Sequence, residues 1–258
     1  MQTDATPTQR QRCRRHRRNW IGAGVTLIAL GCIAFVAASV ATRLTPAWWD
    51  TAIDLDDHSI DRARGFESAL VTELNRVRAG TRSDLASPWK SQPWAVAMQS
   101  GDMNAWIEHV APKWIATREQ TGSWPRELVQ MRISFGSDSW HIGVQIMSGN
   151  RTHFLAVDVT PRFEQDGSLW LTAHSVEVGR LQLPASLVLR RAPELFEHYL
   201  PPSIRGDPRS ACLLDALKGN TPLAVEPAIH LADGRRVRIL ELHSTLNRLE
   251  IVARTERR

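Results

Sequence analysis

HFLAVDVTPRFEQDGSLWLTAHSVEV, residues 153–178, is the stretch that decides the fold. Two runs rich in apolar residues, His153–Phe163 and Ser168–Val178, flank Asp166-Gly167. Asp-Gly between alternating runs is a strong short-range signal for a β-hairpin. A two-residue loop at that pair predicts Phe163 opposite Trp170, Val157 opposite Val176 and Leu155 opposite Val178. One face is then nearly all apolar, the mark of an antiparallel sheet packed on one side. The other face mixes Asp158, Arg162 and Glu164 with Leu169 and Leu171.

Working outward, the period of two starts at Val129, giving strands Val129–Phe135 and Ser139–Met147 ahead of the hairpin. After it, Gly179–Pro184 leads into a helix over Ala185–Tyr199, interrupted by Pro193. Pro201-Pro202 separates that from a short helix, Asp207–Leu217. A second Asp-Gly pair, Asp233-Gly234, joins Leu223–Leu231 to Arg235–His243, and Leu246–Ala253 closes the chain as a strand. On the amino-terminal side, Ile60, Ala63, Phe66, Leu70, Leu74 and Val77 make one stripe of a helix over Ile60–Arg78, stopped by Gly80. Asp57 or Ser59 is the expected cap. Thr81–Pro93 is a polar linker, Trp94–Met98 a short strand, and Met103–Thr117 a second helix. That helix is capped by Asp102, kinked by Pro112, and presents Trp106, Ile107, Val110 and Trp114. The order predicts α+β architecture with an antiparallel sheet.

Trp20–Thr42 carries no charged side chain and directly follows the arginine run Arg10–Arg18. Its length as a helix suits a hydrocarbon core of about 30 Å, and the arginines predict a cytoplasmic amino terminus. Trp20 and Trp48-Trp49 would then sit roughly 40 Å apart at the two interfaces. A cleavable signal peptide is a poorer fit, since the apolar core is too long. Lipidation at Cys32 would be followed by a polar chain, which this is not. The twin-arginine export signal lacks its flanking residues. The expected organisation is therefore a basic cytoplasmic tail (1–19), a transmembrane helix (20–42), a juxtamembrane linker (43–58) and an extracytoplasmic α+β domain (59–258) at the cytoplasmic membrane.

The formal charge of +5 comes from that amino-terminal stretch. Residues 1–42 hold six of the 32 basic and one of the 27 acidic residues, leaving 26 of each for the remainder. A neutral remainder argues against nucleic acid as partner. Cys13 and Cys32 fall within residues 1–42, so Cys212 has no disulfide partner in the outer part and reads as a small buried hydrophobe.

Reaction signatures are missing from the sequence: no His-Glu-x-x-His, cysteine pair, nucleophile elbow, Walker loop or dinucleotide fingerprint occurs. Asp54, Asp56, Asp57 and His58 are metal-ligand types, but acidic residues ahead of a helix more simply favour its amino-terminal dipole. No metal and no cofactor is expected. His141, His153 and His174 fall on neighbouring strands and are the candidates for an envelope hydrolase, although the hairpin register puts His174 opposite Val159, where a structural role is the simpler reading.

Three elements resemble the YpmS-like family of membrane-anchored bacterial proteins. They are Trp94-Ala95-Val96 followed by Met103-Asn104-Ala105-Trp106, the run from Asp166-Gly167 through Gly179-Arg180-Leu181-Gln182-Leu183-Pro184, and the hairpin from Asp233-Gly234 to Val252. The resemblance implies a long curved antiparallel sheet embracing helices, akin to domains that hold lipids or other apolar molecules. It supplies no reaction and no catalytic residues.

The leading expectation is a non-catalytic domain that binds a protein partner or an apolar, lipid-like ligand in a groove between sheet and helices, with Trp106, Trp114, Phe163 and Trp170 as groove residues. A hydrolase using His141, His153 and His174 is one alternative. A structural or assembly subunit of a membrane complex, docking through the Ile60–Arg78 helix, is the other.

Overall fold

The hairpin at residues 153–178 forms, with one adjustment that explains its sequence. In the computed structural model, residues 37–49, 58–81, 89–118, 125–191 and 208–257 are described. Strands β6 (Arg151–Phe163) and β7 (Leu169–Val178) pair antiparallel. Their loop is longer than two residues. The Gly167 amide donates to the Glu164 carbonyl at 2.9 Å and the Glu164 amide to the Ser168 carbonyl at 3.0 Å. Gly167 sits at φ +82°, so Asp-Gly ends a type I turn with a following bulge. Asp166 Oδ1 accepts from both the amide and the hydroxyl of Ser168. These bonds hold the Asp166 carboxyl below its ordinary pKa. Near the turn Phe163 therefore faces Leu169, and Arg162 faces Trp170.

His174 is then an extra residue: Val159 opposes Ala173 and Asp158 opposes Ser175. Past this bulge Val157–Val176 and Leu155–Val178 pair as expected. The bulge has a plain cause. Leu169, Leu171 and Ala173 are odd-numbered, Val176 and Val178 even-numbered. Only a one-residue slip puts both sets on one face.

β4 (Leu128–Phe135), β5 (Trp140–Ser148), β6, β7 and β8 (Leu181–Pro184) form a five-stranded meander in chain order. β8 occupies the segment expected only as a lead into a helix. Val178 pairs with Leu181 across Gly179-Arg180, and Gly179 takes φ +61° at the first loop position. A side chain there would also strike the Ala41 carbonyl at 2.5 Å.

The remaining strands build a second sheet, in the order β1 (Gly80–Thr81), β2 (Trp89–Ser91), β11 (Arg248–Arg257), β10 (Arg235–Thr245), β9 (Ala228–His230). β3 (Trp94–Gln99) continues the β2 edge of β11. The expected architecture, α+β with a transmembrane helix and a single curved sheet, is thus corrected to a strand-rich fold of two antiparallel sheets. The first strands pair with the last one, and such a long-range contact leaves no mark in local periodicity.

The membrane and signal-anchor assignment is corrected too. Among the described residues no helix is long and apolar enough to cross a membrane. Most of the uncharged stretch, residues 20–36, lies outside them, as do Arg10–Arg18, Cys13 and Cys32. So do Asp54, Asp56 and Asp57, residues 82–88 of the expected linker, and Pro193 through Pro202. The carboxyl-terminal end of the stretch packs on protein: a helical turn at 37–41 presents the Ala41 carbonyl to the Arg180 amide at 2.8 Å.

Trp48-Trp49, expected at the membrane interface, instead lie across the five-stranded sheet. Trp49 is 3% exposed and meets Phe154 edge-on, with ring centroids 5.4 Å apart. Trp48 Nε1 donates to Glu177 at 3.0 Å. Both indoles rest on Gly143, the one position of that strand row with no Cβ to hold them off.

Five helices are described. α1 (Ser59–Asn75) ends three residues earlier than expected, which leaves Val77 89% exposed. Its amino end carries no side-chain cap; Ser59 Oγ bonds His109 Nε2 at 2.9 Å and ties α1 to α2 (Ser100–His109). The expected single helix over Met103–Thr117 is two, α2 and α3 (Ala111–Arg118), because Pro112 cannot donate to the preceding turn. Asp102 lies in the first turn of α2 and is not its cap. α4 (Ala185–Arg190) and α5 (Pro208–Leu217) pack on β7.

Two apolar clusters result. Phe135, Ile133 and Trp140 of the meander meet Met98, Leu249, Leu242 and Ile251 of the second sheet, with Phe66 of α1 and Met103 of α2 between. Ala173 and Val176 meet Ala185, Leu189, Leu214 and Leu217.

Glu256 anchors a charge cluster on the face of β11 opposite Leu249 and Ile251. It is 1% exposed and opposite Arg236, which bonds it at 2.6 Å, while Arg254 bonds it at 3.0 Å. Burial pushes its carboxyl up, but the hydrogen bonds and charges of Arg236 and Arg254 together outweigh that, leaving it below its ordinary value. A depressed carboxyl contributes stability that is full above the unfolded value of about 4.3 and is lost as pH falls through the folded one. Glu256→Gln is accordingly expected to lower stability at pH 7. The gap to wild type closes as pH drops below about 4. Urea unfolding of both proteins from pH 3 to 7 checks it; a gap that does not depend on pH would refute it.

Candidate apolar groove

The register of the meander collects one unbroken apolar face. Across it run Met131, Ile133 and Phe135 of β4, then Trp140, Ile142, Val144 and Ile146 of β5. Leu155, Val157 and Val159 of β6 follow, then Ala173, Val176 and Val178 of β7, and Leu181 and Leu183 of β8. Branched residues predominate, as a pleated surface favours. The face is covered unevenly. Phe135 and Val159 are fully buried, whereas Ile142, Val144, Leu155, Val157, Val176 and Val178 are only half-buried.

Helices stand at the two margins of this floor. On the β4 side, Asn104 of α2, itself 0% exposed, pairs with the strand edge: its Nδ2 donates to the Ile133 carbonyl at 2.8 Å, and its Oδ1 accepts the Ile133 amide at 2.7 Å. Ser100 Oγ accepts the Phe135 amide at 3.0 Å. The helix thus satisfies edge groups that would otherwise invite another strand. On the β7 side, α4 and α5 enclose a cavity of about 400 Å³ lined by Ala173, Ser186, Leu189, Arg190, Leu217, Lys218 and Asn220. Its floor is apolar and its rim polar. α5 ends in a Schellman arrangement: the Asn220 amide bonds the Asp215 carbonyl, the Gly219 amide bonds the Ala216 carbonyl, and Gly219 takes φ +72°. That geometry fixes where Lys218 and Asn220 leave the helix.

The four expected groove residues do not share this surface. Trp106 and Trp114 stack edge-on with centroids 6.2 Å apart on α2 and α3. Phe163 belongs to the apolar face, opposite Leu169, but Trp170 pairs with Arg162 on the other face, its Nε1 bonded to Ser168 Oγ at 2.9 Å. The floor residues Ile142, Val144, Leu155 and Val157 carried a usable signal in their alternation. Ser186, Arg190, Lys218 and Asn220 carried none.

The three histidines do not converge. His141 faces Asp158 across β5 and β6, with Nε2 4.0 Å from Oδ1, and lies 5.8 Å from the Trp48 ring. Ser134 is its other cross-strand neighbour. These are the residue types of a hydrolytic triad, yet 4.0 Å is beyond hydrogen-bond reach, so no bond between Asp158 and His141 orients the imidazole. His174, exposed at its bulge, bonds Thr160 Oγ1 at 2.9 Å. His153 lies opposite Ile146, five residues and roughly 16 Å along β6 from Asp158. It borders a second cavity, of about 560 Å³, with Arg43 and Arg151. Among the described residues no group of three or more His, Cys, Asp or Glu is placed to hold a metal ion. Cys212 is exposed rather than buried.

No protein-family model, no curated protein and no solved structure matches the chain.

Proposed function

We propose that the domain is a non-catalytic binding module whose groove, floored by β5 and β6 and bounded by α2 and by α4–α5, takes an apolar ligand. The observation that carries this reading is the half-buried floor. Ile142, Val144, Leu155, Val157 and Val178 form a contiguous apolar surface, each residue only half-buried, that the described helices leave partly uncovered. Contiguous apolar surface of this kind marks binding sites in soluble domains, and concave apolar pockets with a few polar groups are the usual ligand sites. The likeness of residues 166–184 to YpmS-like domains belongs to the same proposal.

A neutral solvatochromic dye such as Nile red tests it. The purified chain is expected to bind the dye with a blue-shifted emission. Val157→Asp, which places a charge on the floor, is expected to weaken binding at least tenfold, an effect of about 1.4 kcal/mol or more. Absence of dye binding by the folded wild type would end the proposal. Placement of the domain outside the cytoplasm rests on the charge asymmetry ahead of residue 43. A carboxyl-terminal reporter active only in the cytosol would contradict it.

A further inference from the structure

The cavity under α4 and α5 differs from the rest of the groove in its rim. We propose that the ligand is an anionic amphiphile, an acyl chain ending in a carboxylate, whose head sits between Arg190 and Lys218 while its chain runs onto the apolar floor. The proposal rests on the apolar-groove reading and narrows it to a ligand class.

Charge complementarity carries the argument. The described lining holds two cations, Arg190 and Lys218, two neutral polar groups, Ser186 and Asn220, and no carboxylate. Asp215, 3.9 Å from Lys218 Nζ, is half-exposed and outside the described lining. The chain beyond residue 42 is electrically balanced, so two cations without a carboxylate among the described lining residues are a local feature. Beneath the cations lie Ala173, Leu189 and Leu217, and Ala173 continues through Val176 and Val178 onto the floor.

The polar groups are also held in place. Ser186 and Arg190 lie one turn apart on α4, hence on one helix face. The backbone at Lys218 and Asn220 is fixed by the carboxyl-terminal cap of α5. A wholly apolar occupant would strip water from two charges without replacing it, whereas a carboxylate offers both an acceptor. Arg190 and Lys218 each lie at a helix carboxyl terminus as well, where a cation offsets the dipole. The test must therefore read binding apart from stability.

The experiment titrates the full chain with dansylaminoundecanoic acid, with its methyl ester, and with Nile red. The acid is expected to bind at least tenfold tighter than the ester. Its advantage should shrink with added salt, while ester affinity barely changes. In the Arg190→Gln/Lys218→Gln double variant the acid should fall to the level of the ester, with Nile red binding retained. Equal affinities for acid and ester, no salt effect on their ratio, or an undiminished preference in the double variant would each overturn the head-group assignment and leave the apolar groove standing. If neither fluorescent acid, ester nor Nile red binds, both proposals fall. The salt dependence uses wild type alone, so the test survives a variant that does not fold.

Discussion

Gly143→Val is expected to destabilise the domain by about 3 kcal/mol, at the upper end of what overpacking costs. A Cβ on Gly143 would lie 2.8 Å from ring atoms of both Trp48 and Trp49, closer than real side chains approach. Neither ring is free to yield. Trp49 is wedged against Phe154, its carbonyl accepts a short hydrogen bond from the Arg132 guanidinium, and that guanidinium lies 5.1 Å over its ring. Trp48 is held by Glu177 and packs on Trp49 at 5.5 Å. Either the sheet bends away or both indoles lift into water, and each route gives up buried apolar area. Urea unfolding measures the loss, and near-ultraviolet circular dichroism reports whether the indoles leave their asymmetric surroundings. A cost under about 1 kcal/mol would show that Trp48-Trp49 do not clamp the sheet.

Asn104→Ala is expected to cost about 3 kcal/mol. An alanine would keep the helix, being its best former, so the loss would come from the strand edge. Both backbone groups of Ile133 would lose their partner at once, and each orphaned polar group costs roughly 1–3 kcal/mol when water cannot reach it. For a domain of this size that lowers Tm by roughly 6–12 °C. Asn104→Asp separates the two bonds. It keeps an acceptor for the Ile133 amide but sets oxygen against the Ile133 carbonyl, so it should recover little. Thermal unfolding followed by circular dichroism decides. An alanine variant as stable as wild type would mean that water replaces the carboxamide at that edge.

The meander was legible because its information is local. Alternation from Val129 onward and the Asp-Gly pair set four neighbouring strands almost by themselves, while the fifth, β8, lay in a segment that reads only as a lead into a helix. What could not be read was the direction of each face, because that depends on single-residue slips. His174 and the extra loop residues at Glu164–Ser168 turned Trp170 away from the apolar side and His174 out to solvent. The second sheet was half visible, as a closing hairpin, while its completion by β2 and β3 was not. Asn247, which reads as part of a strand, sits at φ +61° in the β10–β11 turn. There its amide bonds the Phe135 carbonyl and its carbonyl takes the Ser100 amide, joining both sheets and α2 through one left-handed residue. Asn tolerates that backbone better than most residues, but nothing in the neighbouring sequence announces the junction.

The tryptophans misled for a physical reason. An indole wants an apolar body and a polar tip, and an interfacial layer or a sheet with a glycine gap and a Glu177 acceptor meets both wants equally. Sequence spacing does not distinguish the two. The polar rim of the α4–α5 cavity was illegible because it joins residues some thirty positions apart on helices with no shared pattern.

Pairing of β11 with β2 and β3 also dictates an order of assembly on the ribosome. The five-strand meander can zip up as soon as residue 184 has emerged, since every partner is a sequence neighbour. The other sheet has to hold β2 and β3 in waiting until residues 248–257 arrive, and during that interval Phe135 and Trp140 lack their cover. A nascent chain halted short of β11 would be a chaperone client with its interior turned outward.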